Sequence, residues 1–426
     1  MKVLVITNLF PPEFLGGYEL GCAQMVDALR SVGHDVRVLT SASAHAYGQD
    51  EYGVDRVLGM PPIYNRALTD TTPPAVNTYF DLLACTVNPA NVRVMGDVVE
   101  EYQPDVAYLW NVLGLGGLGV LALLDHQGIP WVWHLMDLIP RQITGFGTSG
   151  PAIGRELGRV FPGRYIACSS HVVGEILEGG VDLGDRVEII PNWVFGDRPP
   201  RRTEFFAGGE LRVLTASGTL CESKGTNILI ESAALLRDRG FVNFTIDIYG
   251  HDEDMQYRTL LHTHDVADMV RLMGPRRHHD LLELYDSYDV FSFPTWSREP
   301  FGFAPLEAAA AGCVPLFTDD CGIAEWLIGG VDCLKAPRST DGFALGMEQI
   351  LRGEIDLSAI GRRAQAVAWR EFHISAAAAK VEAILAEAAT ERCTARGNSG
   401  EFYRLARFAE GVIHALLQEQ RPTELR

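Results

Sequence analysis

The chain has 426 residues, 47% of them hydrophobic and 21% charged, so it is long enough for two globular cores and is not globally disordered. Its formal charge of −19 disfavours nucleic acid or an anionic membrane as a partner of the protein as a whole, while leaving room for a local basic pocket. No apolar run approaches the roughly 20 residues of a membrane span, and eight cysteines without a CxxC pair predict a reducing, cytoplasmic setting.

The start, MKVLVITNLF, has a lysine before an apolar stretch, as a signal peptide does. That stretch is short, is broken by Asn8 and lacks a small-residue cleavage site, so residues 2–8 read as a buried first strand. Leu20–Val32 follows as a helix, then DVRVLT (35–40) as a strand. Further apolar runs at 104–110, 130–135 and 165–170 are separated by helical patterns. Strands apolar throughout, alternating with helices, predict a parallel sheet covered on both faces. Residues 42–80 are polar and aperiodic and read as an excursion on the ligand side; 141–163 reads as a mobile loop with a short helix.

NWVFGDRPPRRTEFFAGGE (192–210) has the Pro, Arg and Gly content of a linker, and the alternation then restarts. Strands are predicted at 211–218, 244–250, 269–274 and 289–294, with helices at 224–239 and around 279–287. The same grammar used twice predicts an α/β architecture of two doubly wound domains facing a central cleft. The expected division is 1–195, 196–372 and a helical tail, 373–426, packing back on the first domain. Residues 356–389 and 400–420 read as helical stretches, with TARGNSG (394–400) breaking the pattern.

Three loops carry chemistry. In NLFPPEFLGGYELG, Gly16 and Gly17 precede a helix, where backbone N–H groups can approach an anion or a sugar; a Gly-Gly pair equally makes a plain turn. In ASGTLCESKGTNILIESAALL, Lys224 stands where a loop becomes a helix. The helix dipole disfavours a cation there, so the lysine points to a bound anion such as a diphosphate. In SREPFGFAPLEAAAAG, Gly302 and Phe303 open a helix whose first turn tolerates Pro305. Glu299 lies on the loop at the strand's carboxyl end and Glu307 among alanines one turn into the helix, where a buried carboxylate needs hydrogen-bond donors. A ribose diol supplies two.

Residues 211–335 resemble the nucleotide-binding half of the family-four retaining glycosyltransferases of GT-B fold (glycosyl transferases group 1). The resemblance rests on GTLCESKG, on Glu299 and Glu307 with seven residues between them, and on GIAE at 322–325. PPEFLGG, the histidine of WVWHLMD and IIPNWV carry a looser resemblance in the first half. The resemblance implies that Lys224 binds a donor diphosphate and Glu307 the nucleotide ribose. It implies that Glu299 contacts the donor sugar, with backbone groups of Phe301, Gly302 and Phe303 around sugar and phosphate. Gly16 and Gly17 would close on the diphosphate and His134 would face the reacting sugar. Lys224, Glu299 and His134 are the implied catalytic group. Expected partners are a nucleotide-diphosphate sugar and a glycan, lipid-linked or small-molecule acceptor, with membrane contact at most peripheral. No metal or other cofactor is expected.

One position departs from the family pattern: Thr219 follows the loop glycine where an arginine usually helps to hold the diphosphate. That loss removes leaving-group stabilisation unless Arg276, Arg277 or Arg298 supplies it. It also supports a rival reading, a catalytically silent GT-B protein that only binds nucleotide sugars. A glycosidase using Glu299 and Glu307 as acid and nucleophile is a further alternative, but it gives Lys224 no task. RRHHD (276–280) is read as a lining of the base pocket or a solvated stretch rather than a metal site.

Overall fold

A computed structural model describes residues 1–42, 53–61, 74–145 and 150–391, apart from 195, 198, 200 and 254. The expectations for 394–400 and 400–420 lie outside the described residues. The chain divides into two compact units. Among the described residues, one unit holds those of 1–168 and 172–190 together with 378–391, and the other holds those of 169–171 and 191–377.

The first unit is built on a seven-stranded parallel sheet. Its strands are β1 (Lys2–Ile6), β2 (Asp35–Ser41), β3 (Val54–Leu58), β4 (Val106–Leu109), β5 (Trp131–Leu135), β6 (Arg164–Ala167) and β7 (Val187–Ile189). Their order is β3-β2-β1-β4-β5-β6-β7, so the chain reverses its direction of growth between β1 and β4. Val3, Leu4, Val5 and Ile6 have no exposed surface, as a central strand covered on both faces requires.

The second unit repeats the plan with six strands. These are β8 (Leu211–Thr219), β9 (Phe244–His251), β10 (Val270–Gly274), β11 (Val290–Phe293), β12 (Val314–Thr318) and β13 (Leu334–Ala336). They run in the order β10-β9-β8-β11-β12-β13, with the reversal between β8 and β11. Open α/β sheets bind ligands beyond the strand carboxyl ends at such a reversal, so the loops after β8 and β11 flank the expected position. The helix Phe303–Ala311 returns from that end with Ala308 to Ala311 buried. Those small side chains allow close packing on β12 and on the helix Leu357–Glu371. Trp369 Nε1 and Gln365 Nε2 both donate to the Ala310 carbonyl, at 2.9 and 3.2 Å.

Two expectations need correction. Residues 42–80 are not wholly without regular structure, since Val54–Leu58 forms edge strand β3 and Pro74–Asp81 a helix. VDRVL escapes a hydrophobic-pattern reading because an edge strand keeps charged, partly exposed side chains. The helix expected over 224–239 begins at Thr226, because Gly225 at φ 73° separates it from a tight turn at Glu222–Lys224. No described helix is long and apolar enough to cross a membrane.

Candidate functional site

The loops after β8 and β11 are fastened to each other. The N–H of Trp296 donates to the Ser223 carbonyl at 2.8 Å. A Cβ on Gly225 would stand 2.1 Å from the Pro294 carbonyl oxygen, so only glycine lets the turn rest on the end of β11. Lys224 is thereby held over Phe293, its Nζ 5.8 Å from the ring centroid, and donates to Glu299 Oε2. Thr295 Oγ1 donates to the same oxygen at 3.1 Å. The two residues to which the family resemblance gives the diphosphate and the sugar therefore meet at the topological reversal. The counter-charge of Lys224 in this structure is a carboxylate of the protein itself.

A second turn grips the Glu299 loop from its other side. Gly322 donates to the Glu299 carbonyl at 3.0 Å and Ile323 to that of Phe301 at 3.1 Å. A Cβ on Gly322 would lie 1.8 Å from the Pro300 carbonyl oxygen, which explains the glycine of GIAE. The Phe301 ring is buried and meets Phe372 edge-on at 6.4 Å, so its side chain anchors the loop while its backbone lies at the site. Gly302, at φ 99°, caps the helix that begins at Phe303.

Glu307 is 5% exposed, and each of its oxygens has a partner. His278 Nε2 lies 2.6 Å from Oε1, and the Tyr285 hydroxyl donates to Oε2 at 3.2 Å. Burial opposes a charge on His278, but the hydrogen bond and the charge of Glu307 outweigh it and raise its pKa. His279 points elsewhere, 3.9 Å from Asp280 and 3.8 Å from Glu283. The sequence reading of RRHHD, base-pocket lining or a solvated stretch, does not separate the two histidines, and nothing local in it marks which ring turns to Glu307.

Thr219 ends β8, exposed and paired in register with His251 of β9. Of the three arginines that the sequence-based expectation offers in place of the usual cation, Arg277 is engaged with Asp280 through two hydrogen bonds of 2.9 Å. Arg276 lies over Tyr249 at 5.8 Å and Arg298 over Trp296 at 6.0 Å.

In the first unit, the N–H groups of Leu15 and Gly16 donate to Glu19 Oε2 at 3.2 and 3.0 Å. Glu19 is buried; burial raises its carboxyl pKa against the lowering pull of those backbone donors. It extends the helix back to Gly17, three residues before the expected start, and it occupies the helix end where an external anion was expected. Its place three residues after Gly16 is the available sequence signal. Arg56 of β3 fixes the preceding loop by donating to the Phe10 carbonyl at 2.9 Å and to that of Pro11.

His134 lies on β5 with no exposed surface. Its Nδ1 is 2.6 Å from the Tyr108 hydroxyl and its ring stacks on Trp110 at 4.5 Å. Its carbonyl accepts from the Tyr18 hydroxyl at 2.6 Å. The ring is thus enclosed, in contrast to the expected sugar-facing position. Burial lowers its pKa from 6.5 to about 3. Between those values the unfolded chain binds a proton that the folded one refuses, so His134 makes stability fall as pH drops from about 6.5 towards 3. The expected signature is an imidazole NMR signal that does not titrate between about pH 5 and 8, where an exposed histidine does. A midpoint near 6.5 would show that the ring is open to solvent.

The glycosyl transferases group 1 model matches residues 197–367, and the Glycosyltransferase Family 4 model matches residues 15–197. The chain belongs to the family-four glycosyltransferases of GT-B fold. The glycogen synthase of Mycobacterium tuberculosis is 28% identical to this glycosyltransferase over 401 residues, spanning 87% of the chain and 90% of the relative. The D-inositol 3-phosphate glycosyltransferase of Pseudarthrobacter chlorophenolicus is also 28% identical, over 51% of the chain and 55% of its own length. Among solved structures, sucrose-phosphate synthase of Thermosynechococcus elongatus aligns with TM-score 0.68 at 16% identity, covering 91% of the chain and 98% of that protein. Anabaena HepE in complex with UDP-glucose aligns with TM-score 0.65 at 19% identity, over 91% of the chain and all of HepE. These structural likenesses support the GT-B fold of the glycosyltransferase.

Proposed function

We propose that this glycosyltransferase moves a sugar from a nucleoside-diphosphate donor to an acceptor hydroxyl, with retained anomeric configuration and without a metal ion, in glycan, glycolipid or glycoconjugate biosynthesis. The observation that carries the reading is the meeting of Lys224 and Glu299 at the β8/β11 reversal, with Glu307 inside the adjoining helix. As the bond from the anomeric carbon to the diphosphate breaks, its electron pair leaves with the phosphate. The acceptor oxygen forms the new bond and passes its proton to an oxygen of the departing diphosphate. Charge grows on the departing diphosphate, where Lys224 and the start of the Phe303–Ala311 helix stabilise it. Glu299 fixes the sugar by hydrogen bonds; it is not a covalent nucleophile in this scheme. Gly16, Gly17 and Thr219 belong to the donor surface in this reading, and His134, enclosed and neutral, acts by holding the fold around it.

The complexes of HepE with UDP and with UDP-glucose support a uridine donor as the first to test. A panel of nucleotide sugars screened by thermal shift is expected to give one stabilising donor. A ligand that binds only the folded state adds about 2.7 kcal/mol at a hundredfold excess over its Kd. Proton NMR of the product then reads the anomeric configuration. An inverted product overturns retention, and binding without turnover across donors and acceptors favours the silent reading. Loss of turnover in the presence of a chelator overturns metal independence.

A further inference from the structure

Glu307 presents a geometric problem that its two protein partners solve. The terminal torsion of a glutamate is soft, so an unrestrained carboxylate presents its lone pairs over a broad range of angles. Here one donor reaches each oxygen: His278 Nε2 at Oε1 and the Tyr285 hydroxyl at Oε2. A carboxylate accepts about four hydrogen bonds, two per oxygen. One acceptor position therefore remains on each oxygen beyond these contacts, the arrangement that a vicinal diol matches with its two hydroxyls.

The two donors differ in kind. Tyr285 is a core residue, 1% exposed, whose ring meets Phe291 edge-on at 5.7 Å. His278 begins the short helix His278–Leu282 with 30% of its side chain exposed, so it can be replaced without opening the core. Its elevated pKa strengthens the contact by favouring the cation beside the buried carboxylate.

We propose that His278 is a positioning residue for Glu307: its N–H holds the carboxylate in the orientation that receives the ribose hydroxyls, making recognition of ribo- over 2′-deoxyribonucleotides depend on His278. The inference rests on the reading of Glu307 as the ribose-binding group.

The test uses the full chain and calorimetry with UDP, GDP and ADP, taking whichever binds tightest together with its 2′-deoxy counterpart. Wild type is expected to prefer the ribonucleotide by about tenfold, the scale of a hydrogen bond to a charged group. His278→Met keeps the bulk but has no N–H donor. It is expected to lose most of that preference by weakening ribonucleotide binding while 2′-deoxy binding stays within about twofold. His278→Gln, which retains an N–H donor, is expected to restore it. With a sugar donor, the same loss appears in KM and not in kcat.

Glu307→Gln separates the two levels of the argument. If this variant keeps the full ribose preference, the ribose reading of Glu307 fails and the inference with it. If it loses the preference while His278→Met retains it, the ribose reading stands and the positioning role is overturned. Equal weakening of both nucleotides by His278→Met also overturns it, because that is the mark of a merely structural contact.

Discussion

Replacing Lys224 by alanine is expected to lower kcat/KM by about 10²–10³-fold, the scale seen when one preorganised group facing developing charge is removed. The reason is visible in the turn that carries it. Gly225, pressed on the Pro294 carbonyl, and the bond from Trp296 to Ser223 hold the lysine at the carboxyl ends of β8 and β11. The ammonium is therefore oriented before a substrate arrives. Its partner Glu299 keeps it in place, and in the proposed mechanism a diphosphate, with its greater charge, competes for the same ammonium. Removing the lysine also leaves Glu299, 13% exposed, without its cation. Lys224→Ala should thus weaken nucleotide-diphosphate binding and slow turnover together, while a nucleoside without phosphates binds unchanged. Steady-state kinetics and calorimetry with UDP and uridine check both parts. Equal loss for UDP and uridine would remove Lys224 from the phosphate and end the present mechanism.

Gly225→Ala is expected to destabilise the second unit by about 2–4 kcal/mol, combining the cost of a left-handed backbone for a residue with Cβ and the cost of overpacking. Both costs have a direct structural source: φ is 73°, and the new methyl would lie 2.1 Å from the Pro294 carbonyl oxygen and 2.6 Å from its ring. The obstructing atoms are the carbonyl oxygen and the rigid ring of Pro294, so no flexible side chain is there to give way. The turn must lift from β11, carrying Lys224 away from Glu299, so activity falls with stability. The lower urea midpoint should come with an unchanged slope. Gly16→Ala is the informative contrast, because φ there is −172° and no protein atom lies within 4 Å of the added Cβ. Its stability should change by about 1 kcal/mol or less, the scale of a helix-cap substitution. A Gly225→Ala protein as stable as wild type would show that the turn does not rest on β11.

Much of the architecture was legible because its cause is local. Val3–Ile6 and Val290–Phe293 read as strands because the first is apolar throughout and the second apolar but for Ser292, and each is buried along its length. The edge strand Val54–Leu58 was not legible, because its alternation includes Asp55 and Arg56. Arg56 nonetheless secures the first loop, through carbonyls 45 and 46 positions away. Such a partner has no mark in the sequence around it.

The candidate site divides along the same line. The sequence by itself determined that Lys224 stands at a loop-to-helix junction, that Gly302 opens a helix, and that Glu307 sits among alanines and needs donors. These properties follow from residue chemistry and from spacings of a few residues. Only the tertiary structure decided which donors and which counter-charges they meet. Lys224 reaches Glu299, 75 positions along the chain, because the crossover makes β8 and β11 neighbours. Glu307 meets His278 and Tyr285 because the preceding segment packs on its helix, and Glu19 occupies the first helix end that an external anion was expected to fill. A charge at a helix end requires a partner by electrostatics alone. Whether that partner comes from solution or from a distant carboxylate is decided by how the sheet is wound.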